Sequence, residues 1–473
     1  MVTKSEVPET DSEQPELMAI TSTRNFALQR GDSGWSTRVK LLVSWVCGVA
    51  ISIHAGRASA YYTDHQVSIG PNSSPPYQLQ FQIIPFTGGT ATAWISKGMT
   101  FAGLVCPDQT RLDCASGDKT TAAQLMDNSY TSEIAAAQSW GIDTIRFQVN
   151  QAALDPNCAY YQSWYLPYII NRIRYTRRQG LVVIISMQWE SSSLEVCQVN
   201  GPTCQAPGWA PQLDHPTSST ASTYSTPNAL SSTNAAWKVV APFFASDHGV
   251  VFEAFNEPGT AYGIKGQSWA AAWHQWQSND QSVINTIRSV GANNVIVLEG
   301  LQQGRTFKNM PMPNGIIDPA NLQVPQIGYA VHPYENDYNS SDPYDVSMLN
   351  YSDFTSNFGY LVPQGYPMMI SELSGTAGVS CYDGTVPGVP STPTYMNGPL
   401  GIINYAKSRG IGISGAWAFD DNPSLVSGLT PLSNSWPPLS FSLFNGCNNN
   451  ANPAGPGYDF QQYFLNNVVV SPN

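Results

Sequence analysis

Eight short apolar runs, separated by stretches of helical pattern, constrain this chain more than any other feature of its sequence. They read MTFAGLV (99–105), IDTIRFQV (142–149), LVVIISM (181–187), VVFEAF (250–255), NVIVLEG (294–300), IGYAVHP (327–333), PMMISEL (367–373) and GISGAWAF (412–419). Each is apolar along its length instead of alternating, as strands buried on both faces of a parallel sheet are. Between them Leu166, Ile169, Ile170 and Ile173 recur at helical spacing before Gly180, and Val283, Ile287 and Val290 do so before Gly291. The segment 398–410 closes on Lys407, Arg409 and Gly410, which suit the last turn of a helix. Eight such units in about 370 residues predict an α/β fold, the (β/α)₈ TIM barrel, with long loops at its C-terminal face.

The rival architecture is an open doubly wound sheet. Its glycine-rich first turn is missing, because GLVCPDQT follows the first run where G-x-G-x-x-G belongs. No G-x-S-x-G elbow marks a serine hydrolase either. Residues 61–98 are expected to cap the barrel bottom, and Pro211–Asn234 is expected to be a long loop, since strand and helix patterns continue beyond it.

Composition narrows the setting. Charged residues are 11% of the chain and the net charge is −12, so the surface is built from neutral polar residues and offers little to phosphates. Nucleic acid is thereby excluded as a partner. Arg38 and Lys40, the apolar stretch Leu41–Ile53 and the small residues Ala58, Ser59 and Ala60 follow the order of a secretory signal. Residues 1–60 are therefore expected to be a signal peptide cleaved after Ala60 or an N-terminal anchor, with a polar lead or a true start at Met18. Residues 61–473 are expected to be one domain, secreted and monomeric, with no obligatory membrane partner. Cysteines at 106, 114, 158, 197, 204, 381 and 447 fit an oxidising compartment, with 106/114 and 197/204 spaced as loop staples and Cys381 and Cys447 in neighbouring loops. None forms a C-x-x-C knuckle, and the histidines show no ligand spacing, so no metal is expected.

Four runs end in polar residues, which is how a barrel supplies chemistry at its C-terminal face. The fourth delivers Asn256 and Glu257, the sixth His332 and Tyr334, the seventh Glu372 and the eighth Trp417. Two carboxyl groups facing each other across a barrel mouth meet the needs of glycosidic cleavage, one to protonate the leaving oxygen and one to attack or to activate water. Glu253 and Glu299 lie inside runs and read as structural. Trp189 and Trp209, in the loop after the third run, are candidate sugar platforms or loop anchors.

The set IRFQVN, FNEP, HPYEN, ISELSG and WAFD, with INTIRSVGANNVIVLEG between the two glutamates, resembles glycoside hydrolase family 5, the endoglucanase-type members of clan A, over residues 95–420. The resemblance implies a retaining mechanism with Glu257 as general acid/base and Glu372 as nucleophile, and requires no cofactor. It implies that Arg146 keeps Glu372 ionised, that Asn256 binds the sugar 2-hydroxyl, that His332 and Tyr334 position nucleophile and sugar, and that Trp417 floors the ring. One departure stands out: Ser186-Met187-Gln188 replaces the family's Asp-Leu-His, so Gln188 takes a histidine's place beside the cleaved bond. The expected substrate is a polysaccharide, foremost β-1,4-glucan. Mannan, xylan and β-1,3-glucan are alternatives, as is an inactive sugar-binding barrel.

Overall fold

The computed structural model describes residues 65–71, 79–85, 89–101, 104, 130–157, 161–188, 232–258, 268–320, 322–334, 346–348, 350–373, 399–419, 426–427, 442–443 and 456–466. The expected signal segment, all seven cysteines after it, Trp189 and Trp209 lie outside these residues.

Each of the eight runs overlaps a strand: β4 (Lys97–Phe101), β5 (Thr144–Asn150), β6 (Val182–Gln188), β7 (Val250–Glu253), β8 (Ile296–Glu299), β9 (Ile327–Val331), β10 (Met368–Ile370) and β11 (Gly412–Ala416). They pair in parallel in chain order, and β11 pairs with β4 to close the barrel. Strands β7 and β10 stop short of their runs at the C-terminal end, so the polar residues that close those runs lie on the loops of the barrel mouth. Helices α1 (Tyr130–Gln138), α2 (Gln151–Leu154), α3 (Tyr165–Arg178), α4 (Thr233–Val240), α5 (Trp269–Ser289), α6 (Tyr351–Asn357), α7 (Pro399–Arg409) and α8 (Pro456–Asn466) intervene or follow. Gly180 and Gly291 end α3 and α5 at φ 82° and 81°, the left-handed region that only glycine enters cheaply. The expected loop at 211–234 ends slightly early, because Ser232 caps α4 by accepting from the N–H of Ala235.

Side chains alternate along each strand, which divides the core in two. In β6, Val183, Ile185 and Met187 face the helices and join the larger cluster. Val182 and Ile184 face inward and join Val251, Val297, Ala330 and Met369 in a smaller cluster inside the barrel's lower half. That inner cluster is completed from below. Strands β1 (His65–Pro71) and β2 (Leu79–Pro85) form an antiparallel hairpin, extended by β3 (Thr92–Ala93), and send Val67, Ile69, Phe81 and Trp94 into it. A cap formed from residues 61–98 is thus what the described part of that segment provides. Gly328 on β9 makes room for it, since a Cβ there would sit 2.3 Å from the Phe81 ring.

Helix α5 lays Trp273, Trp276, Val283, Ile284 and Ile287 on the barrel. Asp280 falls on the same face and is buried, and its Oδ2 has no hydrogen-bond partner among the described residues. Burial holds its carboxyl well above the usual carboxylate range. A carboxyl with a raised folded pKa favours the folded state only while protonated, so its contribution is lost as pH rises above the unfolded value of about 3.9. Asp280→Asn should therefore gain stability over wild type as pH climbs, nearly nothing at pH 3 and progressively more towards neutral pH. Urea unfolding at both pH values checks this, and a pH-independent difference would refute it.

Candidate active site

Above the apolar plug the inward positions turn polar. Arg146, on β5, is fully buried and its guanidinium reaches five side chains. Nε donates to Glu253 Oε2 (2.7 Å), Nη1 to Glu372 Oε2 (2.8 Å), and Nη2 to Ser186 Oγ (2.9 Å) and Asn256 Oδ1 (2.5 Å). Glu299 Oε1 lies 3.6 Å from Nη2. A cation with no water around it survives only among such partners.

Glu372 stands two residues past β10. Its Oε2 accepts from Arg146 and from Gln148 Nε2 (3.0 Å), and its Oε1 accepts from Tyr334 Oη (3.0 Å). Three donors thus prepare it to carry a negative charge. Burial nevertheless raises its pKa above the ordinary value, with Glu257 adding to the rise and Arg146 and Tyr334 opposing it. The guanidinium thus pulls Glu372 towards its ionised form, as the resemblance implies, while burial pulls the other way, and the cation is shared with Glu253 and Glu299. The Tyr334 hydroxyl is itself pushed well above its usual pKa by burial and by Glu372, so it remains a donor.

Glu257 follows β7 and is partly exposed. Its Oε1 lies 3.0 Å from His332 Nδ1, and its backbone N–H donates to Glu299 Oε2 at 2.7 Å. Its φ of 46° lies in the left-handed region, unusual for a residue with a side chain and costing about 1–2 kcal/mol. His332, after β9, is fully buried, with Nε2 2.9 Å from Ser371 Oγ and 3.3 Å from Glu299 Oε1. Burial lowers its pKa to about 4, so the ring is neutral through most of the acidic range.

One oxygen of Glu257 and one of Glu372 lie within 4.8 Å of each other. The sets Glu253, Glu299, His332 and Glu257, His332, Glu372 each bring a potential metal-ligand atom to within that distance of the others. The positive charge such sets call for is already supplied by Arg146, which stands 2.7 Å from Glu253, 2.8 Å from Glu372 and 3.6 Å from Glu299.

The structure thus gathers Arg146, Asn256, Glu257, His332, Tyr334 and Glu372 from four strands and the loops that follow them. Trp417 is half-buried just past β11, its backbone N–H donating to Leu373 O (2.8 Å). Gln188 ends β6, half-buried, with its Oε1 unpartnered among the described residues. Trp189 lies outside them. Residue-by-residue reading passed over Gln148 and Ser371, noted Ser186 only as a departure from the family's pattern, and read Glu253 and Glu299 as structural; the structure joins them in one network. The signal was their presence in strands that are otherwise apolar: Gln148 lies two residues from Arg146 and so on the same face, and Ser186 pairs in register with both Gln148 and Glu253.

The sequence model of the cellulase family (glycosyl hydrolase family 5) matches residues 115–422. A sequence comparison with curated proteins finds no match. Among solved structures, a native β-glucanase of Saccharophagus degradans superposes with a TM-score of 0.50 at 18% identity, over 85% of this chain and 94% of that one. A cellulase in complex with an inhibitor gives a TM-score of 0.52 at 14% identity, over 85% and 99%. At these identities the likeness is one of fold.

Two outcomes follow from the charge network. Arg146→Met strands Glu253 and Glu372 without their cation and should cost about 3–5 kcal/mol of stability in denaturant unfolding, unlike a surface Arg→Met control. For His332, a depressed folded pKa means that stability falls as pH drops from the unfolded value of about 6.5 towards about 4, because the unfolded chain takes up the proton first. Nitrogen NMR of the ring should show a neutral imidazole at pH 5.5, and an imidazolium there would contradict the geometry.

Proposed function

This chain belongs to glycosyl hydrolase family 5, and on that premise we propose that it is a secreted retaining β-glycanase cleaving β-1,4-linked glucan within the chain, Glu257 being the general acid/base and Glu372 the nucleophile. The observation that carries the reading is the approach of the two carboxyl groups to within 4.8 Å at the barrel mouth. Retaining glycosidases hold the pair about 5–5.5 Å apart, whereas inverting ones need about 6.5–9.5 Å to admit a water.

The surroundings of the two groups favour these roles. Glu372, held by three donors, attacks the anomeric carbon as the glycosidic C–O bond breaks, and Glu257 gives its proton to the departing oxygen. Glu257 then takes a proton from the water that displaces Glu372. Asn256 has its Oδ1 turned to Arg146, which leaves the amide nitrogen to offer the sugar 2-hydroxyl. Trp417 supplies an apolar surface for the ring, and Gln188 an amide beside the cleaved bond. The matching family model is that of the cellulases, which favours glucan as the first substrate to try. The order of charge, apolar stretch and small residues at 38–60 supports export.

Reducing-sugar release from β-1,4-glucan, mixed-linkage glucan, mannan and xylan tests the proposal. Wild type should act foremost on β-1,4-glucan and release the β-anomer first, as seen by proton NMR. Glu257→Ala and Glu372→Ala should each lose about 100- to 10,000-fold or more. Cellulose binding by wild type with no sugar released from any of the four would establish the sugar-binding barrel instead.

A further inference from the structure

Glu299 has no part in the double displacement, yet it touches both the backbone of Glu257 and the ring that Glu257 faces. It ends β8 and is almost fully buried. Oε2 accepts the Glu257 N–H at 2.7 Å. Oε1 lies 3.3 Å from His332 Nε2 and 3.6 Å from Arg146 Nη2, and as an acceptor it has no hydrogen-bond partner among the described residues. A buried oxygen without a donor is explained if it carries a proton and donates it. His332 Nε2 is within reach of such a proton.

We propose that Glu299 is a positioning residue for the acid/base: one oxygen pins the left-handed backbone of Glu257, and the other, donating to His332 Nε2, selects the tautomer whose Nδ1–H points at Glu257 Oε1. The inference rests on the reading of Glu257 as acid/base.

The tautomer has a consequence for where protons sit. A neutral imidazole has one N–H. If Nδ1 carries it, Oε1 of Glu257 is always an acceptor, in the acid form and in the carboxylate form alike, and the acidic proton belongs on Oε2. The carboxylate left after proton transfer keeps a donor 3.0 Å away. If Nε2 carried the proton, the Nδ1 lone pair would face that carboxylate and oppose its formation. Ser371 Oγ, 2.9 Å from Nε2, donates to the ring in the Nδ1–H form and accepts from it in the other, and the same hydroxyl also faces the Glu253 carboxylate. A protonated Glu299 chooses between the two forms. Its surroundings favour the neutral form: burial and the Glu253 carboxylate raise its pKa well above the ordinary range, and the Arg146 guanidinium, pulled down chiefly against Glu253 and Glu372, only partly opposes this.

The test separates a neutral donor from a charge and from bulk. Glu299→Gln keeps an acceptor for the Glu257 N–H and a donor for Nε2. Glu299→Met keeps the volume and neither function. kcat/KM is measured on phenyl β-cellobioside, whose leaving oxygen needs protonation, and on dinitrophenyl β-cellobioside, whose leaving oxygen does not. Glu299→Met should lose about tenfold or more on the phenyl substrate and under about threefold on the dinitrophenyl one, and Glu299→Gln should restore most of the loss. Equal losses in Gln and Met, equal losses on the two substrates, or no loss in Met would each overturn the inference. If Met does not fold, as judged by circular dichroism, Gln decides alone: activity within about threefold of wild type supports it and a tenfold loss overturns it. Glu257→Ala in the same assay reads the parent assignment. A split between substrates in Glu257→Ala with none in Glu299→Met sinks the inference alone, and no split in Glu257→Ala sinks both.

Discussion

The buried guanidinium of Arg146 is the constraint around which the rest of the site is arranged. A cation sealed from water demands anions, and here Glu253 and Glu372 lie within 2.8 Å of it and Glu299 within 3.6 Å. Because its planar fork fixes where its partners must stand, it orients β7 and the β10 loop relative to β5 and sets the place of Glu372. The same cation holds Asn256 by its carbonyl oxygen, so the residue before Glu257 is aligned by the group that also anchors the opposite carboxylate.

Such a network is stable only if water stays out below and the strand ends do not drift. The hairpin β1–β2 meets the first need by filling the lower barrel with Val67, Ile69 and Phe81. Tryptophans on the helices meet the second. Trp237 on α4 donates its indole N–H to Ala254 O, just past β7, and Trp276 on α5 donates to Glu299 O at the end of β8. These are the strands that lead into Glu257 and Glu299, so helix packing is transmitted directly to the two residues that meet at the Glu257 N–H.

The barrel was legible because it rests on a local property, apolar strands alternating with amphipathic helices, and because the polar residues at 256–257, 332–334 and 372 stand at or just beyond the ends of the runs, where loops begin. The inner network was less legible for a physical reason. Glu253 and Glu299 sit within apolar runs, where an isolated carboxylate reads as a buried structural group, and only barrel closure brings them to one cation. Gln148 and Ser371 carry no charge and gain meaning only from register, which sequence spacing does not supply across separate strands. The left-handed φ of Glu257 was hidden altogether, since Asn-Glu-Pro reads simply as a strand stopped by proline.

One guanidinium among four carboxyl groups, with a histidine held neutral, cannot balance them all as anions, so the site must distribute its protons unequally. Arg146, against the cost of burial, brings Glu253 below the usual carboxylate range, so that residue is the fixed anion. Glu299, with poorer access to the cation and Glu253 as a neighbour, is pushed the other way. Glu372 lies between, raised by burial yet met by three donors that strengthen as negative charge grows on it. That intermediate state suits a group that must give up its charge to a covalent bond and then recover it: a carboxylate paired as firmly as Glu253 would resist leaving its cation, and one as poorly compensated as Glu299 would seldom be ionised.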